Sequence, residues 1–293
     1  MGRIDLDGYS LTARDDSKET ETDARRNSGI ICRLNVGHYL KNRKSALTEV
    51  KMHGPNFARP TAETINTLGR ASSATITTIF RRKGIKNIWM PLKPLFPGMK
   101  TTGPALTIRS VPGRDDLQPN AYVAGTLFPG HPDEAIEAVQ PGDVVVLDGR
   151  GAADEGLFGD LLTLRVKMKG AAGIISDMSV RDSPHMAEKN ISIFCRGSAS
   201  PGGSVFNVDY NVPIGCAGVL VCPGDVMLGD DDGVVVIPSA MVDDAVEEVL
   251  LHEDREDYIR LMLAQGVSLE GLYPMAPDTE KSFLEWRRGA RGR

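Results

Sequence analysis

Cysteine is scarce in this 293-residue chain, with four residues, Cys32, Cys195, Cys216 and Cys222, spread along its length. None forms a CxxC pair and none has a histidine at zinc-finger spacing, so neither a disulfide framework nor a structural zinc site is indicated. The expected state is reduced, partly buried thiol in a cytoplasmic protein. No apolar run reaches the roughly 18–20 residues of a membrane span, so no membrane partner is expected. The first 30 residues lack the apolar core of a secretory signal. Positive charge is not in excess: 34 Lys and Arg stand against 39 Asp and Glu, a net charge of −5. A dedicated nucleic-acid binder would need a basic face, so no nucleic-acid partner is expected. The five histidines are scattered without HExxH spacing, and no GxSxG elbow occurs. Zinc-protease and serine-hydrolase readings therefore fall away.

The organisation is that of a folded domain with appended ends. Residues 1–55 are polar and weakly patterned, and read as an N-terminal arm. Pro60 opens a helical stretch with Thr61 as N-cap, Gly84 as stop and Gly69 as a point where it breaks in two. From Trp89 onward, short apolar runs bounded by Gly and Pro read as buried strands: GPALTIRSV, GDVVVLDGR, AAGIISDMSV, ISIFCRG and VPIGCAGVLVCPGDVMLGDDDGVVVIP. Helices intervene at HPDEAIEAVQ and FGDLLTLRVKMKG. A long amphipathic helix follows over MVDDAVEEVLLHEDREDYIRLMLAQG, with Val242, Val246, Val249, Leu250, Ile259 and Leu263 on its apolar stripe. A short tail, SLEGLYPMAPDTEKSFLEWRR, ends the pattern. The mixture without a strict βαβ rhythm gives an α/β or α+β layered sandwich.

Three segments could carry chemistry. GRGAADEGLFGDLL at 149–162 leads four glycines into a helix start, where free N–H groups and the helix dipole suit a carboxylate. The order of its glycines fits neither the dinucleotide fingerprint nor the P-loop, and a flexible loop is the plainer alternative. SVRDSPH at 179–185 places an Arg-Asp pair just after a strand. Arginine grips a carboxylate or keto oxygen and aspartate binds a hard divalent cation, with a surface ion pair as the alternative. Asp230-Asp231-Asp232-Gly233 tempts a metal reading, but between two apolar strands it is better read as a hairpin turn.

The stretch FGDLLTLRVKMKGAAGIISDMSVRDSP, followed by PGDVMLGDDDGVVVIP, resembles the 4-hydroxy-4-methyl-2-oxoglutarate aldolases. That family also contains the regulator of ribonuclease activity A. The likeness runs from about Thr61 to Ala245, and the tail GLYPMAPDTEKSFLEWR is similar to that of longer members. The most specific feature is an acidic residue, 20 intervening positions, then Arg-Asp: here Asp160, residues 161–180, then Arg181-Asp182. The resemblance implies a class II, metal-dependent pyruvate aldolase with a swivelling α-β-β-α sandwich over 56–245, followed by a C-terminal helix and tail over 246–293. It further implies homotrimers or hexamers, with sites near subunit contacts.

By position, the resemblance makes Asp182 the anchor of Mg²⁺ or Mn²⁺, largely through waters, and Arg181 the contact to a 2-keto acid. Amides around Gly159, Asp160, Leu161 and Leu162 would hold the substrate carboxylate, and Asp160 would orient a catalytic water. The implied reaction cleaves a 4-hydroxy-2-keto acid to pyruvate through an enolate, and the same site would suit oxaloacetate decarboxylation. The active pattern continues from Arg-Asp through two residues to a carboxylate. Here His185 stands in that place, and the next acidic residue, Glu188, comes one helical turn too late. His185 is thus a substitute ligand or proton carrier, or the mark of an altered site. Members that act as regulators also lack the acidic residue there, so a non-catalytic, protein-binding oligomer is the alternative function.

Overall fold

The computed structural model describes residues 56–114 and 132–291; the arm expected over residues 1–55 lies outside the described residues. In chain order the elements begin with helices α1 (Ala62–Leu68) and α2 (Ser73–Arg82). Strands β1 (Trp89–Met90), β2 (Lys93–Pro94) and the long β3 (Thr101–Pro112) follow. Next come α3 (Pro132–Ala138), β4 (Val144–Leu147), α4 (Asp160–Met168), β5 (Gly173–Ser176), α5 (Ser183–Ala187) and β6 (Ser192–Cys195). Strands β7 (Val205–Tyr210), β8 (Ile214–Cys216), β9 (Val219–Val221), β10 (Val226–Asp230) and β11 (Gly233–Ile237) precede α6 (Val242–Ala264) and α7 (Pro277–Arg291).

The first helical stretch divides at Gly69, as its sequence suggests. The Thr61 Oγ1 accepts from the N–H of Thr64 at 3.1 Å to start α1, and Gly69 ends it. Ser72 restarts the chain as α2, its Oγ accepting from the N–H of Thr75 at 3.0 Å. Each cap satisfies an N–H that has no partner within the helix.

Strands β3, β4, β5 and β6 are parallel neighbours in that order, joined by crossovers that carry α3, α4 and α5. Antiparallel strands extend the sheet from the other edge of β3, in the order β10, β11, β1, while β2 closes the opposite edge on β6. Strand β7 pairs with the far half of β3, Ile108–Pro112, beyond the Thr101–Pro104 stretch taken by β10. The sheet curls far enough that Lys93 of β2 donates from Nζ to the carbonyl of Asp231, in the β10–β11 turn, at 2.8 Å.

Strand alternation then sorts the core into layers. Val144, Val146, Ile175, Phe194, Met227, Val234 and Val236 face the inside of the curl, where the β8–β9 hairpin adds Ile214, Cys216, Val219 and Val221. Val145, Leu147, Ile174 and Ile193 face outward against α3, α4 and α5. Val226, Leu228, Val235 and Ile237 face outward on the other side, against α1, α2 and α6. Helices on both outer faces of a doubled sheet make the α-β-β-α sandwich expected.

The acidic triplet is a turn, as read. Asp230 pairs with Gly233 across it. The Asp230 carboxylate accepts from the N–H and the Oγ of Ser73, both at 2.7 Å, capping α2.

The C-terminal helices depart from the single stripe expected. In α6, Val242, Ala245 and Val249 are buried against the sheet layer, but Leu263 is 41% exposed. The second half packs instead on α7, a 15-residue helix in the segment read as a short tail. Tyr258 meets Phe283 edge-on at 5.8 Å, and Arg287 pairs with Asp254 at 2.7 Å. Two partners on two faces broaden the buried surface beyond one stripe.

Candidate functional site

The candidate residues gather at the carboxyl ends of the parallel strands, where open α/β sheets place their ligands. Strand β4 runs out into Asp148-Gly149-Arg150, β5 into Asp177 and on to Arg181-Asp182, and β6 into Arg196. A buried carboxylate ties these ends together. Asp177 accepts from the N–H of Gly149 at 2.6 Å through Oδ1 and from the N–H of Ala217 at 3.0 Å through Oδ2. Arg196 donates from Nε to the Asp177 carbonyl at 2.8 Å.

The crossover between β4 and α4 folds back beside the segment that follows β5. Gly156 forms bridges with both Ser179 and Gly202, and its N–H donates to the carbonyl of Pro201 at 3.0 Å. The N–H of Arg181 donates to the carbonyl of Phe158 at 2.8 Å. These bonds bring the two sequence signals, separated by 20 positions, into one place.

Arg181 lies across the glycines of this crossing. A Cβ at Gly156 would sit 2.7 Å from its Cγ, and one at Gly202 would sit 3.6 Å from Nη1. Any side chain at 156 would therefore displace the arginine. Its guanidinium is exposed, and among the described residues it donates no hydrogen bond, so its planar fork is free to meet an oxyanion.

Asp182 is the N-cap of the short α5 and stands in the left-handed region, φ 55° and ψ 34°. Its side chain does not cap its own helix. The carboxylate turns instead toward α4: a Cβ on Gly159 would lie 2.8 Å from Asp182 Oδ2. Gly159 is the N-cap of α4 and has no side chain to cap it, which leaves the N–H groups of Asp160, Leu161 and Leu162 without an acceptor among the described residues. Asp160 sits in this first turn, with Lys189 Nζ 3.9 Å from its Oδ2.

The structure thus brings Gly159, Asp160, Leu161, Leu162, Arg181 and Asp182 to one edge of the sheet. His185 is on the same short helix as Asp182, exposed, and its N–H donates to the Asp182 carbonyl at 2.9 Å. Among the described residues no group of three His, Cys, Asp or Glu gathers in ligand geometry. The donor set is therefore one exposed carboxylate, Asp182. That suits Mg²⁺ or Mn²⁺, hard ions that keep several waters and take one or two carboxylates. It does not suit zinc, which wants four close ligands.

Sequence reasoning did not find the supports: Gly156 and Gly202 beneath Arg181, Lys189 beside Asp160, and Asp177 behind the strand ends. The one available signal was an aspartate after each apolar run, in VVVLDG and GIISD. Asp148, after the first run, is buried, and that burial pushes its carboxyl above the usual range, with the charge of Asp177 adding to the effect.

Comparison with known proteins gives a consistent picture. The RraA-like family profile, described as Aldolase/RraA, matches residues 73–236. A protein of Halalkalibacterium halodurans named "Putative 4-hydroxy-4-methyl-2-oxoglutarate aldolase" is 34% identical over 168 residues, covering 56% of this chain and 72% of that one. Protein DlpA of Legionella pneumophila is 31% identical over 201 residues, 68% of this chain, but the match spans only 31% of DlpA. Among solved structures, Streptomyces coelicolor RraAS2 is described as an unusual member of the RNase ES inhibitor RraA protein family. It shares 36% identity with a TM-score of 0.61, over 70% of this chain and 98% of that one. An uncharacterized Pseudomonas syringae protein, 21% identical with a TM-score of 0.65 over 76% of this chain and 98% of its own, shares the fold.

Proposed function

This chain belongs to the RraA-like family, and from that premise we propose that it is a divalent-metal-dependent aldolase that releases pyruvate from a 4-hydroxy-2-keto acid. The observation that carries this reading is the placement of the Asp182 carboxylate and the Arg181 guanidinium beside the uncapped first turn of α4. Amide donors, a planar cation and a hard-ion ligand are what a 2-keto acid presents itself to: its carboxylate to the amides, its keto oxygen to the arginine.

In this reading the N–H groups of Asp160, Leu161 and Leu162 bind the substrate carboxylate, favoured by the positive end of the helix dipole. Arg181 lies along the keto oxygen and stabilises the negative charge that builds there as the C3–C4 bond breaks. Asp160, acting through a water, removes the C4 hydroxyl proton, with Lys189 Nζ 3.9 Å from its Oδ2. Asp182 would hold Mg²⁺ or Mn²⁺, which when bound supplies Lewis-acid polarisation of the keto acid. Oxaloacetate decarboxylation generates the same enolate and would use the same groups.

Assembly belongs to the same proposal. Leu161, Leu164 and Met168 are 74%, 41% and 71% exposed and fall on one side of α4, the helix whose first turn binds substrate in this reading. A second copy of the chain covering that stripe, in a trimer or hexamer, would close the site from outside.

The alternative is a non-catalytic regulator that binds a protein partner. It is favoured by His185 in place of an acidic residue and by the likeness to RraAS2. A pyruvate-release assay with Mg²⁺ or Mn²⁺, on oxaloacetate and a panel of 4-hydroxy-2-keto acids, separates the two. Turnover of any of these supports the aldolase; silence on all of them moves the regulator ahead.

A further inference from the structure

A cavity of about 290 Å³ opens at the same end of the sheet but shares no residue with the Gly159–Arg181–Asp182 group. Two arginines line it, Arg109 from β3 and Arg150 from the loop after β4, together with Asp148; Val111, Pro213 and Ile214 supply apolar wall.

Its two sides are built on one buried anchor. Gly149, between Asp148 and Arg150, donates its N–H to Asp177 Oδ1 at 2.6 Å. Ala217, at the turn that ends β8, donates to Asp177 Oδ2 at 3.0 Å. The loop that carries Arg150 and the hairpin that carries Ile214 are thereby held at a fixed separation. Arg150 has φ 60°, a left-handed conformation that a non-glycine residue adopts only where its surroundings impose it. Its N–H donates to Asp148 Oδ1 at 3.0 Å, and its Nη1 stands 3.8 Å from Asp148 Oδ2, too far for a hydrogen bond. The Arg109 guanidinium donates no hydrogen bond among the described residues. Two guanidiniums thus reach the mouth with most of their donors unused.

We propose that this cavity is a second anion site, which takes a small monocarboxylate with a short apolar body, its carboxylate gripped between Arg109 and Arg150. Asp148 in the lining and Asp209, the cross-strand neighbour of Arg109 on β7, offset much of the arginines' charge, which disfavours a dianion such as phosphate. Val111, Pro213 and Ile214 match a branched alkyl group. The site is independent of the aldolase reading, since it uses neither Arg181 nor Asp182.

Isobutyrate is the probe, titrated onto the full chain by saturation-transfer NMR at fixed ionic strength, with inorganic phosphate as competitor. The expected result is saturable binding that weakens by about tenfold or more in Arg109→Gln and in Arg150→Asn, an exchange that tolerates the left-handed backbone. Binding should persist in Asp182→Asn and resist phosphate. Both arginines are exposed, so these variants keep the fold, checked by circular dichroism. Absence of saturable binding, unchanged affinity in both arginine variants, or loss in Asp182→Asn would overturn the proposal. Displacement by equimolar phosphate would overturn the carboxylate assignment.

Discussion

The carboxylate of Asp182 lies against the α-carbon of Gly159, so close that a Cβ there would sit 2.8 Å from Oδ2. The contact joins the end of the β5 segment to the first turn of α4 and explains why glycine is at the cap. Gly159 has φ −109°, a conformation open to any residue, so its role is space and not backbone freedom. Gly159→Ala should therefore leave stability within about 1 kcal/mol of wild type. It should lower kcat/KM for pyruvate release on the order of tenfold to a hundredfold, because the carboxylate must move. Steady-state kinetics beside urea denaturation checks both halves; an active variant would show that this contact does not position the site.

The segment before α1 is fixed by Arg59, which meets the fully buried carboxylate of Asp143 at 2.7 and 2.8 Å. Arg59→Ala strands that charge and should cost about 3 kcal/mol. A shift of the urea midpoint at constant slope is the expected reading.

Asp148 gives a pH signature. Burial holds its carboxyl above the ordinary range, so the folded chain binds this proton more tightly than the unfolded chain does. Its contribution is fully present below the ordinary carboxylate range and is lost as pH rises through the raised value. The stability of wild type relative to Asp148→Asn should thus fall from acid toward neutral pH and then level off. Paired urea titrations across that range test the sign, and a difference that rises with pH would contradict it.

Met168 tests assembly without touching the first turn of α4. If the Leu161–Leu164–Met168 stripe is covered by a second copy, Met168→Glu should reduce a trimer or hexamer to smaller species in light scattering, with the circular dichroism unchanged. An unaltered particle size would place the contact elsewhere.

Much of this was legible in the residues. Strands β4, β5, β6, β10 and β11 are apolar runs between Gly and Pro turns, and burial on both faces is what writes such runs. Asp160 and Arg181-Asp182 were singled out through the family resemblance, the Arg-Asp pair also by its place just after a strand. What holds them was not legible, because Gly156 meets Ser179 and Gly202 only through tertiary bridges that no local pattern encodes. Helix α7 escaped for a related reason: Phe283 and Trp286 gain an apolar partner only when Tyr258 of α6 arrives. The Arg109–Arg150 cavity depends in the same way on Asp177, which the sequence presents only as the residue after a strand.

The most direct test of the aldolase account is pyruvate release from a 4-hydroxy-2-keto acid as Mg²⁺ is titrated, with wild type and Asp182→Asn compared. Asparagine tolerates the left-handed backbone at 182 and keeps the shape of the side chain while removing its charge. The account predicts a saturable Mg²⁺ dependence in wild type and loss of turnover in the folded variant at every Mg²⁺ concentration. Equal turnover by the two proteins, or turnover by wild type that does not respond to Mg²⁺, would contradict it.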